Sequence, residues 1–163
     1  MNLEAAVEKA EDLDEIKDIL DEEGFLCSAY LMLEEGEGPE VWNLAFYSEG
    51  KNEITAVEVT SEDATLGVTD APLREDTGKI SLEEVKVGAK EGLEKVKKVL
   101  EEEFGGSYKK LLFSLKSEGG RQEWRAVFVG KSLSIIVISL DAETGEVLEK
   151  EKKSMNRNGL FGS

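Results

Sequence analysis

Residues 123–129 read Glu123-Trp124-Arg125-Ala126-Val127-Phe128-Val129, with Trp124, Ala126 and Phe128 on alternate positions. A period of two with large apolar side chains on one side marks a strand that buries one face. The same pattern stands 82 positions earlier, where Trp42, Leu44 and Phe46 alternate. Further on, Val57 and Val59 match Ile138 and Leu140 at a spacing of 81, so one residue is gained or lost in an intervening turn. One pattern used twice is the expectation.

Each use opens on a stretch with helical period. Leu82, Val85, Ala89, Leu93, Val96, Leu100 and Phe104 recur every three or four residues and line one face of a helix over 82–104. Ser81 and Glu84 have capping-box spacing, Ile80 and Val85 take the staple positions, and Gly105-Gly106 supplies a left-handed exit. Upstream, Leu3, Ala6, Ala10, Leu13, Ile16 and Leu20 predict a helix over 3–22. Lys17 falls on its apolar face and Asp12 is placed to cap a fresh turn, so a break near Glu11 is allowed for.

Beyond each helix the period drops to two. Strands are expected over 25–33, 40–48, 53–60 and 65–69, and again over 109–115, 123–129, 134–140 and 146–150. Gly36, Gly38 and Pro39, then Gly119-Gly120, Gly130 and Thr144-Gly145 punctuate them. The predicted fold class is α+β: a tandem repeat of one long helix packed on an antiparallel sheet of three to four strands. Residues 1–70 form the first unit, 71–80 a linker, 81–150 the second unit, and 151–163 a largely flexible tail.

The second unit resembles a PepSY domain. The resemblance rests on residues 123–129, the apolar strand from Ile135 to Leu140, and the closing run Asp141-Ala142-Glu143-Thr144-Gly145-Glu146-Val147-Leu148. It covers about residues 81–150, whereas 1–70 match in architecture and Thr60-Ser61-Glu62-Asp63-Ala64 lacks the glycine. It implies a small PepSY-like α+β module of the kind found in peptidase propeptides and in proteins that restrain peptidases or bind peptides at cell surfaces. The closing run itself describes a turn, with Gly145 free to take positive φ and Asp141 able to accept bonds from backbone amides. Such a match marks a fold rather than a chemistry.

Composition excludes several chemistries. The chain has 163 residues, 36 of them acidic and 20 basic, with no histidine and one cysteine. Ser-His-Asp and Cys-His nucleophile systems, His-ligated zinc, intrachain disulfides and thiolate clusters are therefore absent. The net charge of −16 is unevenly placed, since residues 1–80 hold 22 acidic and 5 basic side chains. A surface of that sign repels phosphates and anionic lipid, so neither nucleic acid nor membrane is expected as a partner. The longest apolar run, Ile135 to Ile138, is far short of a membrane span, and the acidic start at Met1-Asn2-Leu3-Glu4 lacks the apolar segment of a signal peptide. A cytoplasmic location is the expectation. Enrichment in Glu and Lys with a single Gln resembles heat-adapted compositions.

Motif fragments fail on inspection. Gly130-Lys131-Ser132 lacks the leading glycine of a phosphate loop and lies between strands. Asp12, Asp14 and Glu23 have calcium-loop spacing, but Ile16 and Lys17 stand where the loop needs an oxygen ligand and a glycine. Cys27, Trp42 and Trp124 read as core residues. No catalytic residue, cofactor or metal ligand emerges. One pattern does stand out: Glu4, Glu8, Glu11, Glu15, Asp18 and Glu22 step by four and three along the first helix as an acidic stripe. Like charges at those separations destabilise an isolated helix by about 0.2–0.5 kcal/mol per pair. The stripe is the candidate docking surface for a basic protein or peptide, and the chain reads as a non-enzymatic binding or regulatory module, possible peptidase regulation included. Two alternatives stand beside it. One is a small-ligand carrier or carboxylate-only enzyme using a groove between the repeats; the other is a structural homo-oligomer joined through strand 134–140 or an open sheet edge.

Overall fold

A computed structural model describes residues 2–35, 41–70, 78–130 and 134–154, with backbone alone for 68–70 and 154. In chain order it contains α1 (Leu3–Glu11), α2 (Asp14–Asp21), β1 (Phe25–Glu34), β2 (Trp42–Ser48), β3 (Glu53–Val59) and β4 (Ala64–Asp70). A 3-10 turn at Leu82–Glu84 leads to α3 (Ala89–Phe104), β5 (Lys110–Glu118), β6 (Arg121–Val129), β7 (Ser134–Asp141) and β8 (Val147–Ser154).

The strands make a single eight-stranded sheet in the order β4-β3-β2-β1-β5-β6-β7-β8, each paired antiparallel with its neighbours. This overturns the expected α+β tandem repeat of long helices on separate small sheets: the architecture is dominated by one sheet. The physical reason lies at its centre. Separate sheets would leave β1 and β5 as long apolar edges, which are templates for aggregation. They pair with each other instead, from Ala29 opposite Leu115 to Glu34 opposite Lys110. The core is correspondingly continuous and runs from Leu3 and Phe46 through Leu31 and Phe113 to Ile138. Strand β7 is paired on both sides, so it offers no edge for the subunit pairing considered from sequence.

The helices are shorter than their apolar stripes suggest. The chain breaks between α1 and α2, where Leu13 takes an extended conformation at the start of α2. Ahead of α3, residues 85–88 leave the helical path because tertiary bonds hold them. The Lys86 and Val87 amides donate to Ala142 O at 2.9 and 2.8 Å, and Val87 O accepts from Trp124 Nε1 at 2.8 Å. Gly88, rather than Ser81, therefore occupies the N-cap of α3. Once in α3, Gly92 lies so close to the sheet that a Cβ there would stand 3.2 Å from Phe113 and 3.4 Å from Trp124.

The helices cover one face of the sheet, and the aromatic strands point into that layer. Trp42 and Trp124 are both buried, with ring centroids 6.4 Å apart, and Phe113 stacks on Trp124 at 4.7 Å. These rings fill the space between the two halves, where a ligand groove was one of the expectations. The Asp141–Leu148 run forms the β7–β8 hairpin as its chemistry requires: Gly145 has φ 80°, and Asp141 Oδ1 accepts from the Glu143 and Thr144 amides. Lys95 of α3 fastens this turn by donating to Gly145 O, and Lys9 of α1 fastens the β3–β4 turn through Thr60 O and Ser61 O. Of the expected linker, Ile80 is buried and donates from its amide to Leu26 O, while 71–77 lie outside the described residues. Residues 151–154 continue β8, and the rest of the expected tail lies outside the described residues.

Candidate functional site

The break between α1 and α2 divides the acidic stripe. Glu4, Glu8 and Glu11 ride on α1, with Glu4 and Glu8 exposed and Glu11 half-buried at the break. Burial, then the neighbouring Glu8 and Asp12 carboxylates, push the Glu11 carboxyl above the usual carboxylate range. Glu15, Asp18 and Glu22 are exposed on and just after α2. These three line one wall of a groove of about 330 Å³, whose other residues include Ile19, Ser48, Glu53, Thr55 and Leu66. The stripe is thus divided between two helices, and Glu15, Asp18 and Glu22 are its members that line this groove.

Local structure explains the groove. Alternation along β2 and β3 turns Ser48 and Thr55 toward the helix layer, the same side as Phe46 and Val57. Leu66 is cross-strand from Val57 and remains 38% exposed, because α2 lies toward β2 and does not extend over β4. The groove therefore runs from the end of β2 across β3 and opens at β4, the terminal strand of the sheet. Its lining carries Glu15, Asp18, Glu22 and Glu53 against a single cation, Lys51.

Charge pairing sharpens the contrast between the halves. The ion pairs formed among the described residues are Lys116–Glu118, Arg121–Asp141, Lys150–Glu103 and Lys153–Glu151, all within residues 103–153. No groove carboxylate belongs to such a pair. Nor do they converge on a point, for among the described residues no three acidic or thiol side chains are placed to hold a metal ion. A row of separated carboxylates beside an apolar patch suits an elongated cationic partner better than a single ion. Sequence reasoning found Glu15, Asp18 and Glu22 but missed Glu53, Ser48, Thr55 and Leu66. Their strand positions were legible; that α2 would lie beside them was not.

The face of the sheet away from the helices carries a second feature. Met32 is 61% exposed there and stands in register with Leu112, Val127 and Val137 on successive strands. The thiol of Cys27 is buried, donates to Ala45 O at 3.4 Å, and is pushed up to about 11 by burial. It is no nucleophile at neutral pH.

Comparison with known proteins adds a fold and no family. No protein-family model and no curated protein matches the chain. Among solved structures it is similar to a Clostridium difficile 630 protein described as a "putative lipoprotein". That likeness has a TM-score of 0.58 at 16% sequence identity and covers 86% of this chain and 89% of the other. At that identity the likeness is one of fold. Nothing in these comparisons corresponds to the PepSY resemblance. At that identity the neighbour's description does not carry over to the location of this chain, for which the structure gives one fact. Among the described residues no helix is long and apolar enough to cross a membrane.

Proposed function

We propose that this chain is a non-enzymatic binding module that takes a basic protein or peptide into the groove beside α2. The observation that carries the reading is the lining itself: Glu15, Asp18, Glu22 and Glu53 around an apolar patch of Ile19 and Leu66, none of the carboxylates engaged in an ion pair. Exposed charge pairs each contribute about 0.2–1 kcal/mol, so four of them supply roughly 1–4 kcal/mol. That range corresponds to weak, salt-sensitive capture, strengthened by burial of partner side chains against Leu66.

The test is calorimetric titration of the full chain with an octalysine peptide at 50 and 300 mM NaCl. Binding at low salt that weakens at least tenfold at high salt is expected. It should also weaken at least tenfold in Glu15→Lys with Asp18→Lys, and stay within twofold of the parent in Glu4→Lys with Glu8→Lys. Equal losses from both double variants would remove the groove from the reading, and no binding at low salt would remove the reading altogether.

Met32 favours a second reading, self-association through the part of the sheet face on which it is exposed. An exposed methionine at the end of an apolar cross-strand row is the kind of patch that marks a contact surface. Sedimentation of the parent against Met32→Lys decides it: a dimer that dissociates in the variant supports it, and a monomer in both rejects it.

A further inference from the structure

The acidic groove opens at a sheet edge, and that coincidence suggests how a partner binds. We infer that the partner is an extended strand with lysine or arginine at alternate positions. It pairs with the free edge of β4 and lays those side chains into the groove. This rests on the groove being the binding site and adds the conformation and residue pattern of what it holds.

The two edges of the sheet are built differently. At one end, β8 carries Glu149, Lys150, Glu151, Lys152 and Lys153 in succession, and charged side chains of this kind obstruct pairing with another strand. At the other end, β4 reads Ala64-Thr65-Leu66-Gly67-Val68-Thr69-Asp70, with no charge before its last residue and no proline. Nothing among the described residues pairs with its outer side. An unguarded edge offers a row of backbone donors and acceptors, which is the basis of recognition by strand addition.

The spacing of the groove fits such a strand. Along a helix, Glu15 to Asp18 is about 4.5 Å and Asp18 to Glu22 about 6 Å. Alternate residues of an extended chain are about 6.8 Å apart and point to the same face. Two or three inward-facing cationic side chains therefore span the acidic wall, while the intervening residues face away from the helix layer. Ser48 is 4% exposed and lines the floor, where its hydroxyl can accept from an arriving ammonium or guanidinium. Leu66, on the same face of β4, gives the aliphatic stem of such a side chain an apolar surface.

The experiment uses the full chain and four eight-residue peptides of equal charge. One alternates lysine with threonine, two are the same sequence N-methylated on either its lysines or its threonines, and one has four lysines followed by four threonines. Affinities come from calorimetry at 50 mM NaCl, and exchange of the β4 backbone amides is followed by NMR. In a strand the amides of alternate residues point to the same side, so only one methylated form obstructs the pairing edge. Expected results are an affinity at least tenfold lower for one methylated form than for the other, a similar loss for the block peptide, and slowed exchange in residues 64–67 with the parent peptide. If all four peptides bind alike and Glu15→Lys with Asp18→Lys weakens all of them, the groove reading stands and strand addition falls. If none binds, both fall.

Discussion

Trp124→Phe tests whether one indole holds the segment leading into α3 at the height the sheet requires. The side chain is fully buried, its Nε1 donates to Val87 O at 2.8 Å, and its ring stacks on Phe113 at 4.7 Å with 4° between the planes. Phenylalanine retains most of the stack and removes the donor. Val87 is itself buried, so its carbonyl is left without a partner, a loss of about 1–3 kcal/mol. The missing ring atoms add about 1–2 kcal/mol of lost burial and cavity. A total of about 2–5 kcal/mol lowers the melting temperature of a chain this size by roughly 4–20 °C. Phe113→Leu serves as the comparison, because it keeps the hydrogen bond and loses only ring contact, at about 1–2 kcal/mol. Thermal unfolding by circular dichroism measures both. Amide exchange of Lys86 and Val87, which donate to Ala142 O, supplies a local readout that should accelerate in Trp124→Phe alone. A loss in Trp124→Phe no larger than that in Phe113→Leu, with those amides unchanged, would refute the reasoning.

Because burial and the Glu8 and Asp12 carboxylates raise the Glu11 pKa, the folded state holds a proton more tightly than the unfolded chain, whose value is near 4.5. Stability from this group is therefore full below pH 4.5 and lost as pH rises through the folded value. Glu11→Gln should accordingly melt higher than the parent by roughly 1–2 °C at pH 7, scaled from one relieved like-charge pair, with the gain vanishing at pH 4. Cys27, raised from an ordinary 9.0 to about 11, should react with iodoacetamide at pH 8 about a hundredfold more slowly than a free thiol, the difference disappearing in urea. Lys51→Ser removes the one cation that lines the groove and should tighten octalysine binding by about two- to fivefold, the equivalent of one exposed charge contact; weaker binding would place the peptide elsewhere.

Much of the sheet was legible because period two survives wherever one face is buried. Trp42-Leu44-Phe46 and Trp124-Ala126-Phe128 gave strands whose bounds lie within two residues of those found. What the pattern did not carry was the pairing between β1 and β5. Alternation specifies which face is buried and is silent about which strand lies alongside, so two small sheets and one large sheet have the same signature. The helix over 82–104 failed for a related reason. Its apolar spacing is real, yet residues 85–88 are held by bonds to Ala142 and Trp124 that are remote in sequence. The site was half legible: a step of three and four found Glu15, Asp18 and Glu22, while Glu53 and Leu66 joined them only through the placement of α2 against β2, which leaves the groove open across β3 to β4.

The uneven charge has a bearing on why the groove is acidic at all. Solubility of a small domain is served by a net charge of magnitude about 2–8, whereas residues 1–80 alone carry 22 acidic against 5 basic side chains. Stability does not call for the excess either. The carboxylates of α1 and α2 repel along each helix, the ion pairs among the described residues lie in the other half, and burial opposes the charge on Glu11. Under the proposed function, such a surface would gain free energy when a partner of opposite charge arrives. The groove is the place on that surface where arrival also covers apolar area, because Ile19 and Leu66 lie among its carboxylates. Glu4 and Glu8 of α1 lie outside the lining of this groove and would give such a partner long-range attraction without contact inside it. Under the proposed function, Glu4 and Glu8 would act on the rate of encounter, and Glu15, Asp18, Glu22 and Glu53 on the lifetime of the complex. Glu4→Lys with Glu8→Lys should therefore slow association by no more than about twofold at low salt and leave dissociation unchanged, while Glu15→Lys with Asp18→Lys should speed dissociation at least tenfold. Stopped-flow mixing with a labelled octalysine separates the two, and a dissociation rate that responds equally to both double variants would dissolve the distinction.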